Sequence, residues 1–173
     1  WNRLLNTDCT VIDIGSHTVY PIFRVGSTSL MSDADRTYTN RQISKCEHID
    51  ILIRNPIDRF VSGVNEYCRQ NSLDVKKTRG LIKQEKLVDR HFAPQYIWLI
   101  HLYKFYKGTV TLKPFGSISE ITQQHLKHLR ANESHQHVDP VEQFINVDLA
   151  LMKDLHKTVL LKDIIRKHKN VLS

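Results

Sequence analysis

The chain has 173 residues, 40% of them hydrophobic, enough to bury one substantial core, and a single domain over residues 1–173 is expected. An ordinary charged fraction, sparse Gly and Pro and the lack of repeats exclude a disordered chain and a solenoid. Apolar runs are too short for a membrane span, no leader-like segment is visible, and Cys9, Cys46 and Cys68 form no C-x-x-C pair, so a soluble, cytoplasmic protein is expected. The net charge of +7 calls for an anionic ligand or partner without saying which.

In chain order, Thr18 to Phe23 is rich in β-branched and aromatic residues and runs into a Gly/Ser/Thr cluster, the pattern of a buried strand entering a loop. His48 to Ile53 predicts a second strand, stopped at Arg54-Asn55-Pro56 because Pro56 cannot donate to a ladder. From Ile57 to Arg69, apolar residues recur at three and four positions, predicting a helix against the sheet. A third strand is predicted at Thr109 to Lys113, then a helix capped near Ser117 and running to about Leu129. Asp139-Pro140 predicts another helix start, with Val141, Phe144 and Ile145 on one face, and Leu160 to His168 predicts the last helix. Strands separated by helical stretches imply an α/β fold, a three-layer sandwich around a central parallel sheet.

Two segments carry chemistry. In Arg24-Val25-Gly26-Ser27-Thr28-Ser29-Leu30 a strand meets a glycine and three hydroxyls, a P-loop-like arrangement in which backbone N–H groups turn toward an anion. The alternative is that Ser27 or Thr28 merely caps a helix. The segment is not a Walker loop, since it lacks the second glycine and the lysine. The second segment, Arg54-Asn55-Pro56-Ile57-Asp58-Arg59-Phe60-Val61-Ser62, places a guanidinium at a strand's carboxyl end and a hydroxyl two helical turns on, a grip suited to phosphate. Arg59 could instead pair with Asp58 or Glu66.

Together the two segments resemble those that bind 3′-phosphoadenosine 5′-phosphosulfate (PAPS) in sulfotransferases, particularly the carbohydrate and Golgi-type branch. There a P-K-x-G-[ST]-[ST]-[ST] loop holds the 5′-phosphosulfate and an R-x-P-x-x-R-x-x-S segment the 3′-phosphate. The resemblance covers about residues 18 to 67. It implies that Arg24, Gly26, Ser27, Thr28 and Ser29 surround the 5′ end of the donor, that Arg54 and Ser62 hold its 3′-phosphate, and that Arg24 acts catalytically where the family has lysine. Arg24 can stabilise charge on the bridging oxygen but does not readily give up a proton. Asp89-Arg90-His91-Phe92-Ala93-Pro94-Gln95 is similar to a His-aromatic-x-Pro-Gln segment of the same branch and makes His91 the first candidate for the base that takes the acceptor's proton. Asp33, Asp35, Glu47 and His48 are rivals. Against typical members, a shorter chain without a membrane anchor and with reduced acceptor-binding elements is expected.

The resemblance implies PAPS as sulfo donor, 3′-phosphoadenosine 5′-phosphate (PAP) as product, and an acceptor hydroxyl, on a glycan or glycolipid, with no metal. His125, His128, His135 and His137 read as a solvated face rather than a metal site. A kinase would want a loop lysine and carboxylates for Mg²⁺. A basic nucleic-acid-binding module would account for the charge and for Lys76-Lys77, but not for two ordered phosphate segments. A non-catalytic PAPS-binding relative is the remaining alternative.

Overall fold

In the computed structural model, which describes residues 5–122, 139 and 141–169, local sequence signals set most element boundaries. The first hairpin joins β1 (Val11–Ile14) to β2 (His17–Val19), and its tight turn uses Gly15 at φ 56°. After β2 come α1 (Ser27–Ser32), β3 (Arg36–Tyr38) and α2 (Asn40–Ile43). Then β4 (His48–Ile53) leads into α3 (Pro56–Asn71), whose first turn is capped by Asn55 Oδ1 accepting from the N–H groups of Ile57 and Asp58. Pro56 sits at the first position of α3, where no N–H is needed.

Next are α4 (Val75–Lys83) and α5 (Gln95–Tyr103), then β5 (Thr109–Pro114), a short 3₁₀ turn at Phe115–Ser117 and α6 (Ile118–Thr122). The last elements are α7 (Glu142–Leu151), a 3₁₀ turn at Met152–Asp154, β6 (Thr158–Leu160) and α8 (Leu161–His168). The protein is mixed α/β, and its described residues form a six-stranded sheet in the order β3-β1-β2-β4-β5-β6.

Only β2-β4-β5, in the middle, are parallel; β1, β3 and β6 pair antiparallel, so the sheet is mixed rather than the parallel one that sequence spacing implies. The reason is local. Two residues, Gly15-Ser16, separate β1 from β2, so these neighbouring strands form a hairpin with no room for the helical crossover that a parallel pair needs. Strand β2 is also shorter than its apolar run, because Pro21 offers no N–H, although Tyr20 N still donates to Asp50 O at 3.0 Å.

The predicted helix at 140 begins two residues later, at Glu142, without a side-chain cap. Asp139 instead pairs with Arg79, its carboxylate lying 3.2 Å from the guanidinium. Leu160 closes β6 rather than opening α8. The continuation of α6 toward Leu129, Pro140, and the histidines 125, 128, 135 and 137 lie outside the described residues.

The main core joins sheet residues such as Ile12, Val19, Ile51, Val110 and Leu112 to Leu99, Leu102, Leu151 and Ile164 of α5, α7 and α8. A second cluster packs Phe60, Val64 and Cys68 of α3 against Phe92, Phe144 and Ile145. Its rings meet edge to face, Phe60 and Phe92 with centroids 6.3 Å apart. Gly63 allows α3 to lie directly on the backbone of His91 and Phe92; a Cβ there would collide with the His91 carbonyl and come within 3.0 Å of the Phe92 Cα. This contact fixes α3, with its arginine and serine, against the His91–Gln95 segment.

Among the described residues, no helix is long and apolar enough to cross a membrane. The three cysteines are free thiols, with Cys9 and Cys68 buried. Burial pushes the Cys9 thiol up to about 12, which keeps it protonated at neutral pH.

Candidate functional site

The segments following β2, β4 and β5 meet at the carboxyl ends of the three parallel strands, the place where open α/β sheets hold ligands. Arg24, just beyond β2, adopts φ 64°, an unusual backbone for a non-glycine residue that costs on the order of 1 kcal/mol. That conformation accompanies a forked contact: Arg24 Nε and Nη2 donate to Ser62 Oγ at 3.1 and 2.8 Å. Arg54, just beyond β4, donates from Nη1 to the Arg24 carbonyl at 3.3 Å, and its guanidinium lies 5.4 Å from the Phe115 ring after β5. Two sequence segments 38 residues apart thus form one cluster.

Gly26 initiates α1 at φ 70°, with no side-chain hydrogen bond capping the helix. The hydroxyls of Ser27, Thr28 and Ser29 are therefore not used as caps, which removes the simplest structural reason for their presence. A side chain at Gly26 would run into Ile118 and approach Phe115 to 3.2 Å, so the loop is held close to the segment after β5. Ser27 and Thr28 line a cavity of about 370 Å³ together with Tyr20, Phe23, Met31 and Trp98. Its floor is aromatic, Phe23 and Trp98 stacking with centroids 5.4 Å apart and planes 14° from parallel.

Charge is unevenly matched here. Burial lowers the pKa of Arg24, an effect that Glu66 only partly offsets from 3.9 Å. Burial likewise lowers Arg54, with Asp58 offsetting it and Arg24 adding repulsion. Arg59, 1% exposed, is depressed to about 10 by desolvation, against which Asp148 acts, and it remains a cation at neutral pH. Its Nε donates to Phe23 O at 3.0 Å and its Nη1 to Ala93 O, while Nη2 has no hydrogen-bond partner among the described residues. Arg59 therefore reaches neither Asp58 nor Glu66 as a surface pair would. Three guanidiniums that repel one another within one site favour the arrival of an anion with several oxygens.

His91 lies in the turn before α5, its Nδ1 2.6 Å from Asp89 Oδ1 and its ring edge-on to Phe23 at 5.7 Å. Asp89 also accepts from the His91 N–H at 2.9 Å. Burial opposes ionisation of Asp89, but the His91 ring and N–H outweigh it and hold the carboxyl below its usual range. A carboxylate on Nδ1 fixes the ring's orientation and leaves Nε2 as the nitrogen able to accept a proton.

The rival bases stand elsewhere. Asp35 accepts from the Gly15 N–H at 2.7 Å in the first hairpin, and Asp33 follows α1 with Ser32 Oγ donating to it at 3.2 Å. Glu47 and His48 line a separate cavity at the start of β4, ~20 Å from Arg54 at about 3.3 Å of strand rise per residue. Among the described residues, no group of three or more His, Cys, Asp or Glu is arranged to hold a metal ion.

No family model, no curated protein and no solved structure matches this chain.

Sequence reasoning missed Gln95 and Asp148. Gln95 Oε1 accepts from Arg54 N and its Nε2 donates to Arg54 O, each at 2.9 Å. Asp148, on α7, accepts from the N–H groups of Gln95 and Tyr96 at 2.6 and 2.9 Å. Burial pushes the Asp148 carboxyl up to about 6, although Arg59 and these N–H groups oppose the rise. A carboxylate in an otherwise amphipathic helix, 53 residues from its partner, carries no local signal; the Pro-Gln pair before an apolar helix was the available one.

Proposed function

We propose that the chain is a PAPS-dependent sulfotransferase that moves a sulfo group to an acceptor hydroxyl by direct in-line transfer. The observation that carries this reading is the forked Arg24–Ser62 contact, which unites the two segments expected to bind opposite ends of a doubly phosphorylated nucleotide. In this reading the hydroxyls and backbone of Gly26 to Ser29 form a P-loop-like cradle for the 5′-phosphosulfate. Arg54 and Ser62 take the 3′-phosphate. Arg24 spans both, and its bond to Ser62 holds the cradle together until phosphate oxygens compete for its N–H groups.

Transfer breaks the bond between sulfur and the bridging oxygen of the donor and forms one from sulfur to the acceptor oxygen; PAP leaves with the electron pair. Arg24 and the loop N–H groups neutralise the charge that gathers on that leaving oxygen. His91 Nε2 takes the acceptor's proton, with Asp89 stabilising the imidazolium that results. In this reading the acceptor, a glycan or glycolipid hydroxyl, approaches through the cavity beside Ser27 and Thr28, whose wall includes Phe23, the ring that His91 meets edge-on. A reducing, cytoplasmic setting suits the free thiols.

The test is thermal stability with PAP, AMP or ATP at equal concentration. A ligand that binds the folded state alone raises the apparent stability by an amount set by its concentration relative to Kd. The expected result is a shift with PAP exceeding that with AMP and ATP and abolished in Ser27→Ala combined with Arg54→Ala. Equal shifts with all three, or none, would reject the assignment and favour a general basic surface.

A further inference from the structure

We infer that Gln95 is a positioning residue for 3′-phosphate recognition, clamping the backbone of Arg54 while Asp148 and Arg59 lock the clamp to the loop after β2. The inference rests on the donor-site reading above and adds what sets the guanidinium of Arg54 in place.

Strand β4 needs such a device. Its ladder with β5 ends at Ile53 opposite Pro114, which has no N–H to offer. Arg54, the next residue, would then carry backbone groups with no strand to bond. The carboxamide of Gln95 presents an acceptor and a donor side by side, as a neighbouring strand does, and it meets both groups of Arg54 at 2.9 Å. Gln95 is itself 0% exposed, so water does not compete for these bonds. Its Nε2 is also within 3.4 Å of Asp148 Oδ2, which orients the amide with nitrogen toward the carboxylate and oxygen toward Arg54 N.

Asp148 fixes the other end. Helix α5 follows Pro94 and has no side-chain cap of its own. Asp148 supplies one from α7 by accepting from the first two N–H groups of α5, at the end of the helix where negative charge is favoured. The charge facing it is Arg59, whose bonds to Phe23 O and Ala93 O tie the residue before Arg24 to the segment before Gln95. One buried carboxylate thus sets the positions of both arginine-bearing ends. A phosphate-binding guanidinium displaced by about 1 Å loses much of its value, which is why a residue that never touches the ligand can matter here.

The test measures PAP and AMP affinities by calorimetry for the wild type, Gln95→Leu and Gln95→Glu, with urea unfolding alongside. Leu removes both bonds; Glu keeps the acceptor but loses the donor and faces Asp148. The expected result is a PAP Kd raised at least tenfold in both variants with the AMP Kd changed less than twofold, since AMP lacks the 3′-phosphate. PAP and AMP weakened by the same factor would show a general loss of structure and overturn the positioning role, as would an unchanged PAP preference in a folded variant. If Gln95→Leu does not fold, Gln95→Glu decides. A wild type with no preference for PAP over AMP would instead remove the donor reading, and the inference with it.

Discussion

The two ends of β4 are both polar, and they differ in how charge is settled. At its start, Asp50, 5% exposed, has Lys113 Nζ at 2.7 Å, His17 Nδ1 at 2.9 Å and His48 Nε2 at 3.2 Å. Burial raises the cost of that charge, but the three partners outweigh it and hold the carboxyl below its usual range. At its far end, Arg24 and Arg54 are half-buried beside a fully buried Arg59, and Glu66 at 3.9 Å from Arg24, Asp58 near Arg54 and Asp148 near Arg59 offset the burial of these charges only in part. The cavity at the first end is the larger, about 570 Å³ against about 370 Å³ beside the loop. Size therefore points one way and uncompensated charge the other. The charge is the better guide to an anionic ligand, because a cluster that satisfies itself gains little by binding one.

Arg54→Ala breaks the comparison at the cationic end and has the largest expected effect. Losing a charge-assisted, partly desolvated phosphate contact costs about 2–3 kcal/mol, or roughly a hundredfold in PAP affinity. Calorimetric titration checks this, and urea unfolding of the same variant should move little, since among the described residues the Arg54 side chain makes one long hydrogen bond, to the Arg24 carbonyl, and a partly exposed contact with the Phe115 ring.

Asp50→Asn is the complementary change. It leaves Lys113 and two imidazoles around a neutral amide, and a loss of about 1–2 kcal/mol in unfolding free energy is expected, with PAP affinity unchanged within twofold. A variant that lost PAP binding as well would show that the two ends are coupled and that the start of β4 belongs to the functional site.

How much of this was legible in the sequence follows from what is contiguous. The loop at Gly26 and the segment from Arg54 to Ser62 are each contiguous within nine residues, so each can be seen as a unit in the sequence. The strand from His48 and the helix after Pro56 were equally readable, one from β-branched density and the other from apolar residues recurring at three and four positions. Sheet direction was not. Strands β3 and β6 have three residues each, too few to show a period, and the hairpin at Gly15 joins strands of only four and three residues. The Arg59–Asp148–Gln95 network was also hidden, since it joins α3, α5 and α7 through pairs with no fixed spacing. What sequence reading recovers is the surface of the site; what it misses is the support beneath.

The smallest expected effect sharpens the comparison at Glu66, the carboxylate 3.9 Å from Arg24. Hydrogen bonding from Arg69, against the cost of burial and with help from Gln70 and Arg24, holds Glu66 down to about 2. Its folded pKa lies below the unfolded value near 4.5, so the folded state binds fewer protons there. The stability it contributes is complete above about pH 4.5 and is lost as pH falls toward 2. Glu66→Gln should therefore unfold at lower urea than the wild type at pH 6, with the gap closing as the pH is lowered toward 3. Ligand binding should move the other way. Removing a carboxylate beside Arg24 leaves that guanidinium more positive toward phosphate, and PAP affinity at pH 7 should rise about two- to threefold, less at high salt because the pair is partly solvated. A protein made less stable and a better binder by one substitution would place Glu66 as the stand-in for the ligand's own charge, occupying the cationic end until a phosphate arrives.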